Sequence, residues 1–72
     1  MTDDQMLNIM LNGKARCVPS GYRLTDLLGD LDLKERLVVI ERNGAIVPRG
    51  AYSDVILAEG DVLEIVHFVG GG

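Results

Sequence analysis

The sequence predicts an α+β domain in which one helix lies across a mixed sheet of four or five strands. Three observations carry that expectation. Two Asn-Gly dipeptides, Asn12-Gly13 and Asn43-Gly44, each interrupt a short apolar run as a hairpin turn does. Between them lies a single leucine stripe at helical spacing, Leu24, Leu27, Leu28 and Leu31. The last apolar run, Val62 to Val69, passes without a turn into Gly70-Gly71-Gly72.

Taken in order, residues 1–5 include Asp3 and Asp4 and read as a flexible lead-in. One domain is expected over 1–72, folded from Met6 to Val69, with 70–72 as a flexible C-terminal glycine tail. Leu7, Ile9 and Leu11 share one face with Asn8 opposite, the period-two signature of a half-buried strand. Asn12-Gly13 supplies the two positive-φ positions of a type I′ turn, and Lys14 to Val18 returns as the second strand. Pro19-Ser20-Gly21 ends the hairpin. The leucine helix lacks an ideal cap residue before Leu24, and Gly29 costs it about 1 kcal/mol relative to alanine, so it is expected to be short and to depend on packing. Leu37 to Arg42 reads as the third strand and Ala45 to Val47 as its return, which Pro48 confines to a sheet edge. Val55-Ile56-Leu57 is a brief apolar segment, and Glu59-Gly60-Asp61 is the turn that launches the last strand. That strand is long and apolar, which suits a central place between the first and third strands, parallel to the first.

At 72 residues the chain is one domain near the lower size limit for a self-sufficient core. Aromatic residues make up only 4%, so that core must be aliphatic. The net charge of −4 lacks the basic footprint of phosphate-backbone binding, so nucleic acid is not an expected partner. No apolar stretch approaches the ~20 residues of a membrane span. A lone Cys17 leaves no internal disulfide and no thiolate metal site, which points to a reducing compartment, by default the cytoplasm.

The chemistry-bearing residues are sparse. There is no nucleophile–histidine constellation, no phosphate loop, no metal-ligand spacing and no pair of carboxylates expected on facing elements, so the chain reads as a non-enzyme without a resident cofactor or metal. His67 continues the inward register of Leu63 and Ile65 and reads as a half-buried strand histidine, while Cys17 reads as a small hydrophobe in a strand. Glu64 marks the solvent side of the last strand, and Val62, Val66 and Phe68 share that side. Glu41 marks the outer side of the third strand, so Val39 extends the same strip. An exposed apolar strip is expected to dock a partner, the alternative being that a loop or the Tyr52 region folds over it. Terminal glycines are by themselves a weak signal, often a frayed end. Beside such a strip, Gly72 would hold a carboxylate on an arm without Cβ atoms, able to enter a narrow passage. An ATP-dependent partner could turn that carboxylate into an acyl-adenylate, open to a sulfur nucleophile.

The stretches Asn43-Gly44-Ala45-Ile46-Val47-Pro48-Arg49 and Val66-His67-Phe68-Val69-Gly70-Gly71-Gly72, with the Glu59-Gly60-Asp61 turn, resemble the ThiS family of sulfur carriers of thiamin biosynthesis. The resemblance covers the chain beyond its first few residues. It implies a ubiquitin-like β-grasp fold and adenylation of Gly72 by a ThiF-type adenylyltransferase that uses ATP. It further implies sulfur drawn from cysteine through a desulfurase, and a thiocarboxylate that serves the thiazole synthase ThiG. Gly71 would be the companion of Gly72 in the diglycine, and Gly70 an additional glycine. Two alternatives stand beside this reading: a β-grasp carrier of another pathway, such as the small subunit of molybdopterin synthase, and a ubiquitin-like interaction module with an inert tail.

Overall fold

The computed structural model describes residues 5–68. The expected lead-in at 1–4, Val69 and the glycine tail 70–72 lie outside the described residues. Gln5 belongs with the fold rather than with a lead-in, because its carbonyl accepts the Ser20 N–H at 2.9 Å.

Met6–Leu11 (β1) and Lys14–Pro19 (β2) form the first hairpin. Asn12 and Gly13 turn it with φ of 51° and 83°, the positive pair that such a turn requires. Val38–Arg42 (β3) and Ala45–Ile46 (β4) form the second hairpin around Asn43 and Gly44, at 53° and 88°. Val62–His67 (β5) completes a five-stranded sheet in the order β2-β1-β5-β3-β4. The last strand is therefore central, parallel to β1 and antiparallel to β3, as its apolar character predicts. β4 ends the sheet after two residues, just ahead of Pro48. Leu37 is not the first residue of the third strand but the last of a 3-10 turn, Glu35–Leu37.

Leu24–Asp30 (α1) covers one face of the sheet. Leu24, Leu27 and Leu28 are buried there with Ile9, Val18, Val38, Ile40 and Leu63. Each fully buried leucine contributes about 1.5–3 kcal/mol, and this packing, rather than propensity, holds so short a helix. The fourth residue of the stripe, Leu31, lies just past the helix and is only partly buried. The missing cap is half replaced: Asp26 accepts the Arg23 N–H at 2.8 Å, while Arg23, which has no acceptor, contributes no reciprocal side-chain bond. The segment Val55-Ile56-Leu57 pairs with the lead into the helix, through Leu24 N–H to Val55 O at 3.0 Å and Leu57 N–H to Tyr22 O at 2.8 Å.

Asp61, at the foot of β5, is the one buried charged residue among those described. Its carboxylate accepts from Arg42 Nε at 3.0 Å, Asn43 Nδ2 at 3.1 Å and the Ala58 N–H at 2.9 Å. Burial is the largest single influence on this group and favours the neutral acid. The Ala58, Asn43 and Arg42 hydrogen bonds, with the charge of Arg42, outweigh it and hold the carboxyl below its ordinary value. The lock ties the second hairpin to the start of β5. A carboxyl depressed in the folded state stabilises the fold above its unfolded pKa, and that contribution is lost as pH falls through the folded value. Chemical denaturation at neutral pH is expected to show Asp61→Ala destabilised by about 2–4 kcal/mol. The difference from the parent should shrink below about pH 4; a variant as stable as the parent at pH 7 would remove the lock from the account.

Candidate functional site

The site expected from the sequence is the outward face of β5 and the residues that follow it. Alternation along β5 buries Leu63 and Ile65 and turns Val62 and Val66 to solvent, and Phe68 beyond it is also exposed. Their exposures of 45%, 54% and 51% place all three among the exposed large apolar side chains. Val39 stands opposite Val66 on β3 and is half-buried. Tyr52 does not fold over the strip, for it is buried in the core cluster. Met10 on β1, opposite Val62 and partly exposed, widens the strip in a way the sequence reading missed. Its outward place was available from the alternation that buries Ile9.

Two hairpin asparagines hold β5 in place. The β1–β5 ladder pairs only Met10 with Val62 and Leu11 with Leu63 before β1 turns away. The Asn12 side chain then takes over the role of a strand residue: its Oδ1 accepts the Ile65 N–H at 2.8 Å and its Nδ2 donates to Ile65 O at 3.2 Å. Asn43 does the equivalent at the other end, accepting the Val62 N–H on Oδ1 at 2.9 Å while donating to Asp61. Each asparagine thus serves two needs, a left-handed backbone position in its own turn and a hydrogen-bonding plug for the neighbouring strand. The positive φ was legible in the sequence; the plug was not, because it depends on which strand lies alongside. At the far end, the Phe68 N–H donates to Leu37 O at 2.7 Å, so pairing with the segment before β3 continues past the last strand residue.

The remaining candidates fall apart as a constellation. His67 keeps the inward register yet is exposed rather than half-buried. Cys17 is likewise exposed rather than packed as a hydrophobe, and its thiol donates to Asn8 Oδ1 at 3.3 Å. The two stand on β5 and β2 with β1 between them, and are not brought together. One carboxylate pair does sit on facing elements, contrary to the sequence reading: Glu41 and Glu64 are direct cross-strand partners on β3 and β5. The signal was present, since both residues mark the outer side of strands expected to be neighbours. The described residues contain no group of three metal-ligating side chains and no helix long and apolar enough to cross a membrane. Gly70, Gly71 and Gly72 lie outside the described residues.

Comparison with known proteins bears on this arrangement. The sequence model of the ThiS family matches residues 9–72. The sulfur carrier protein ThiS of Bacillus subtilis is 42% identical over 65 residues, which cover 89% of this chain and 98% of that protein. Thiazole synthases of Magnetococcus marinus and Paramagnetospirillum magneticum are 44% and 41% identical over 66 residues, 92% of this chain, which spans only 20% of the length of those relatives. The crystal structure of the thiamine biosynthesis protein ThiS of Geobacter metallireducens superposes with a TM-score of 0.76 at 32% identity, covering 92% of this chain and all of that one.

Asn12→Gly isolates the plug from the turn, because glycine keeps the positive φ and loses the amide. The variant is expected to fold with a stability lower by about 1–3 kcal/mol, leaving the Ile65 N–H without its partner. Hydrogen exchange of the Ile65 amide should accelerate more than that of amides in the β1–β2 hairpin. Uniform acceleration would assign Asn12 to the turn alone.

Proposed function

The chain belongs to the ThiS family, with the ubiquitin-like β-grasp fold; from that premise we propose that it is a sulfur carrier of thiamin biosynthesis, that the Gly72 carboxylate is its working group and that the outward face of β5 docks its partners. A ThiF-type adenylyltransferase transfers AMP from ATP to the carboxylate and releases pyrophosphate. The mixed anhydride has a good leaving group: a persulfide charged from cysteine by a desulfurase displaces AMP, and a thiol then cleaves the resulting acyl disulfide, itself oxidised to a disulfide, to leave the thiocarboxylate. The thiocarboxylate then surrenders sulfur to a thiazole synthase. Glycine suits the role because it puts no side chain beside the carbonyl carbon under attack.

One observation supports this reading most. The central strand of the sheet, plugged by Asn12 and Asn43 and anchored by buried Leu63 and Ile65, leads in sequence directly to Gly70, Gly71 and Gly72, and its outward side carries exposed Val62, Val66 and Phe68. Ordering a glycyl arm in a partner's active site costs roughly 1–2 kcal/mol per residue in backbone entropy, and burying an apolar strip can offset that cost. In this scheme the chain acts as a substrate of its partners, not as a catalyst. The thiazole synthase relatives bear on the last step, since a segment similar to this chain makes up about a fifth of each.

Intact-mass measurement after incubation with the adenylyltransferase, ATP, a cysteine-fed desulfurase and a thiol reductant is expected to show one oxygen exchanged for sulfur, localised to Gly72 by fragmentation. An unchanged mass with a competent adenylyltransferase would refute the proposal. Phe68→Asp is expected to shift unfolding by less than about 1 kcal/mol, as befits a surface position, while weakening binding to the adenylyltransferase about tenfold or more. Collapse of the fold would make Phe68 a core residue, and undiminished binding would remove it from the interface.

A further inference from the structure

Glu41 and Glu64 face each other across β3 and β5 on the side of the sheet turned away from the helix, one step along from the Val39–Val66 pair. Like charges directly opposite on adjacent strands destabilise a sheet. Neither carboxylate has an ion-pair partner among the described residues, where Arg42 and Asp61 form the one salt bridge. The chain holds seven lysines and arginines. None takes an outward position on the sheet. Lys14 and Arg16 pair with Leu11 and Ile9 on the helix side, Arg42 shares the side of Ile40 and is held by Asp61, and Arg23, Lys34, Arg36 and Arg49 lie outside the strands. The outward face therefore combines exposed apolar side chains with two adjacent negative charges that the chain leaves uncompensated.

Resting on the reading that this face docks the partners of a carrier, we infer that Glu41 and Glu64 select a partner surface in which an arginine stands among apolar side chains, its guanidinium seated between the two carboxylates. Charge complementarity sets the sign of the occupant. Its geometry favours arginine over lysine, because a planar fork of five donors serves two carboxylates at once and is weakly hydrated. Val39, Val66 and Phe68 surround the pair with surface that excludes water on docking, the setting in which such an anchor contributes most. The same pair disfavours a second copy of this chain, since two-fold stacking of the face would gather four carboxylates around no cation. Repulsion carried by the free chain is relieved when the cation arrives, so binding gains from a cost already present in the fold.

The test titrates the full-length, unmodified chain into the cognate thiazole synthase by calorimetry at low and high salt. Wild-type binding is expected to weaken as salt rises. Glu41→Gln/Glu64→Gln is expected to bind at least about tenfold more weakly at low salt and to lose most of the salt dependence. Asp32→Asn/Asp54→Asn removes the same net charge from exposed positions outside the strands and is expected to bind as wild type. The glutamine variant should unfold at or above the wild-type midpoint, since its cross-strand repulsion is gone. Undiminished binding by the glutamine variant, an equal loss in the control, a lowered unfolding midpoint, or no wild-type binding would each overturn the inference. Sulfur acceptance at Gly72 is read separately: acceptance with charge-insensitive docking keeps the carrier proposal and removes this one, whereas no acceptance removes the carrier proposal itself.

Discussion

Strand β5 is bonded to β1 on one side and to β3 on the other, and on the β1 side its partner runs out after two paired residues. A central strand with an unsatisfied flank would leave part-buried backbone groups without partners, at about 1–3 kcal/mol each. The Asn12 amide closes that gap by presenting an acceptor and a donor to the N–H and C=O of Ile65, as one more strand residue would. Asn43 and Asp61 close the corresponding gap at the foot of the strand. The remaining structure follows from that constraint. Both hairpins must turn at asparagine rather than at another residue tolerant of positive φ, because the side chain is used as well as the backbone. Arg42 must face the helix side, because Asp61 needs its charge.

Holding the strand so firmly divides its two faces between tasks. Leu63 and Ile65 spend their side chains on the core shared with Leu24, Leu27 and Leu28, which a seven-residue helix with one half of a capping box could not hold by itself. The opposite face contributes little to stability and carries a cost at Glu41 and Glu64. A domain of this size has a margin of only a few kcal/mol, so an uncompensated like-charge pair at the centre of its sheet is a feature that stability does not explain. A surface chosen for solubility would spread its charges, and one chosen for packing would cover Val62, Val66 and Phe68.

The parts of the fold legible in the sequence were those with a local or periodic cause. Asn-Gly announces its turn because two positive-φ residues are needed in succession. The leucine stripe announces the covered face of a helix, and the length and predominantly apolar character of Val62 to Phe68, interrupted only by Glu64 and His67, announce a strand with neighbours on both sides. What remained hidden depends on cross-strand register, which no single segment contains. The Asn12 plug, the three donors to Asp61 and the Glu41–Glu64 pair each join residues at least eighteen positions apart, except for the Ala58 N–H that reaches Asp61 locally. His67 and Cys17 failed for a different reason. Alternation fixes the side a residue faces, yet burial also needs something opposite, and for His67 the inward register runs on to where the side chain is exposed.

That distinction between direction and coverage also explains why the candidate site could be named before its chemistry was visible. Outward alternation identified Val62, Val66 and Phe68, while their exposure depends on Tyr52 and the loop around it joining the core on the other side. Once the loop is committed there, with Tyr52 inside and the segment Val55–Leu57 bonded to Tyr22 and Leu24, that loop cannot also shield the outward face. The domain cannot cover both faces of a five-stranded sheet with one helix and one loop. A bare sheet face with no task would be expected to accumulate scattered polar residues of either sign. This one retains apolar side chains around two carboxylates and places no lysine or arginine at an outward strand position, the pattern that the proposed docking of a cationic partner surface would require.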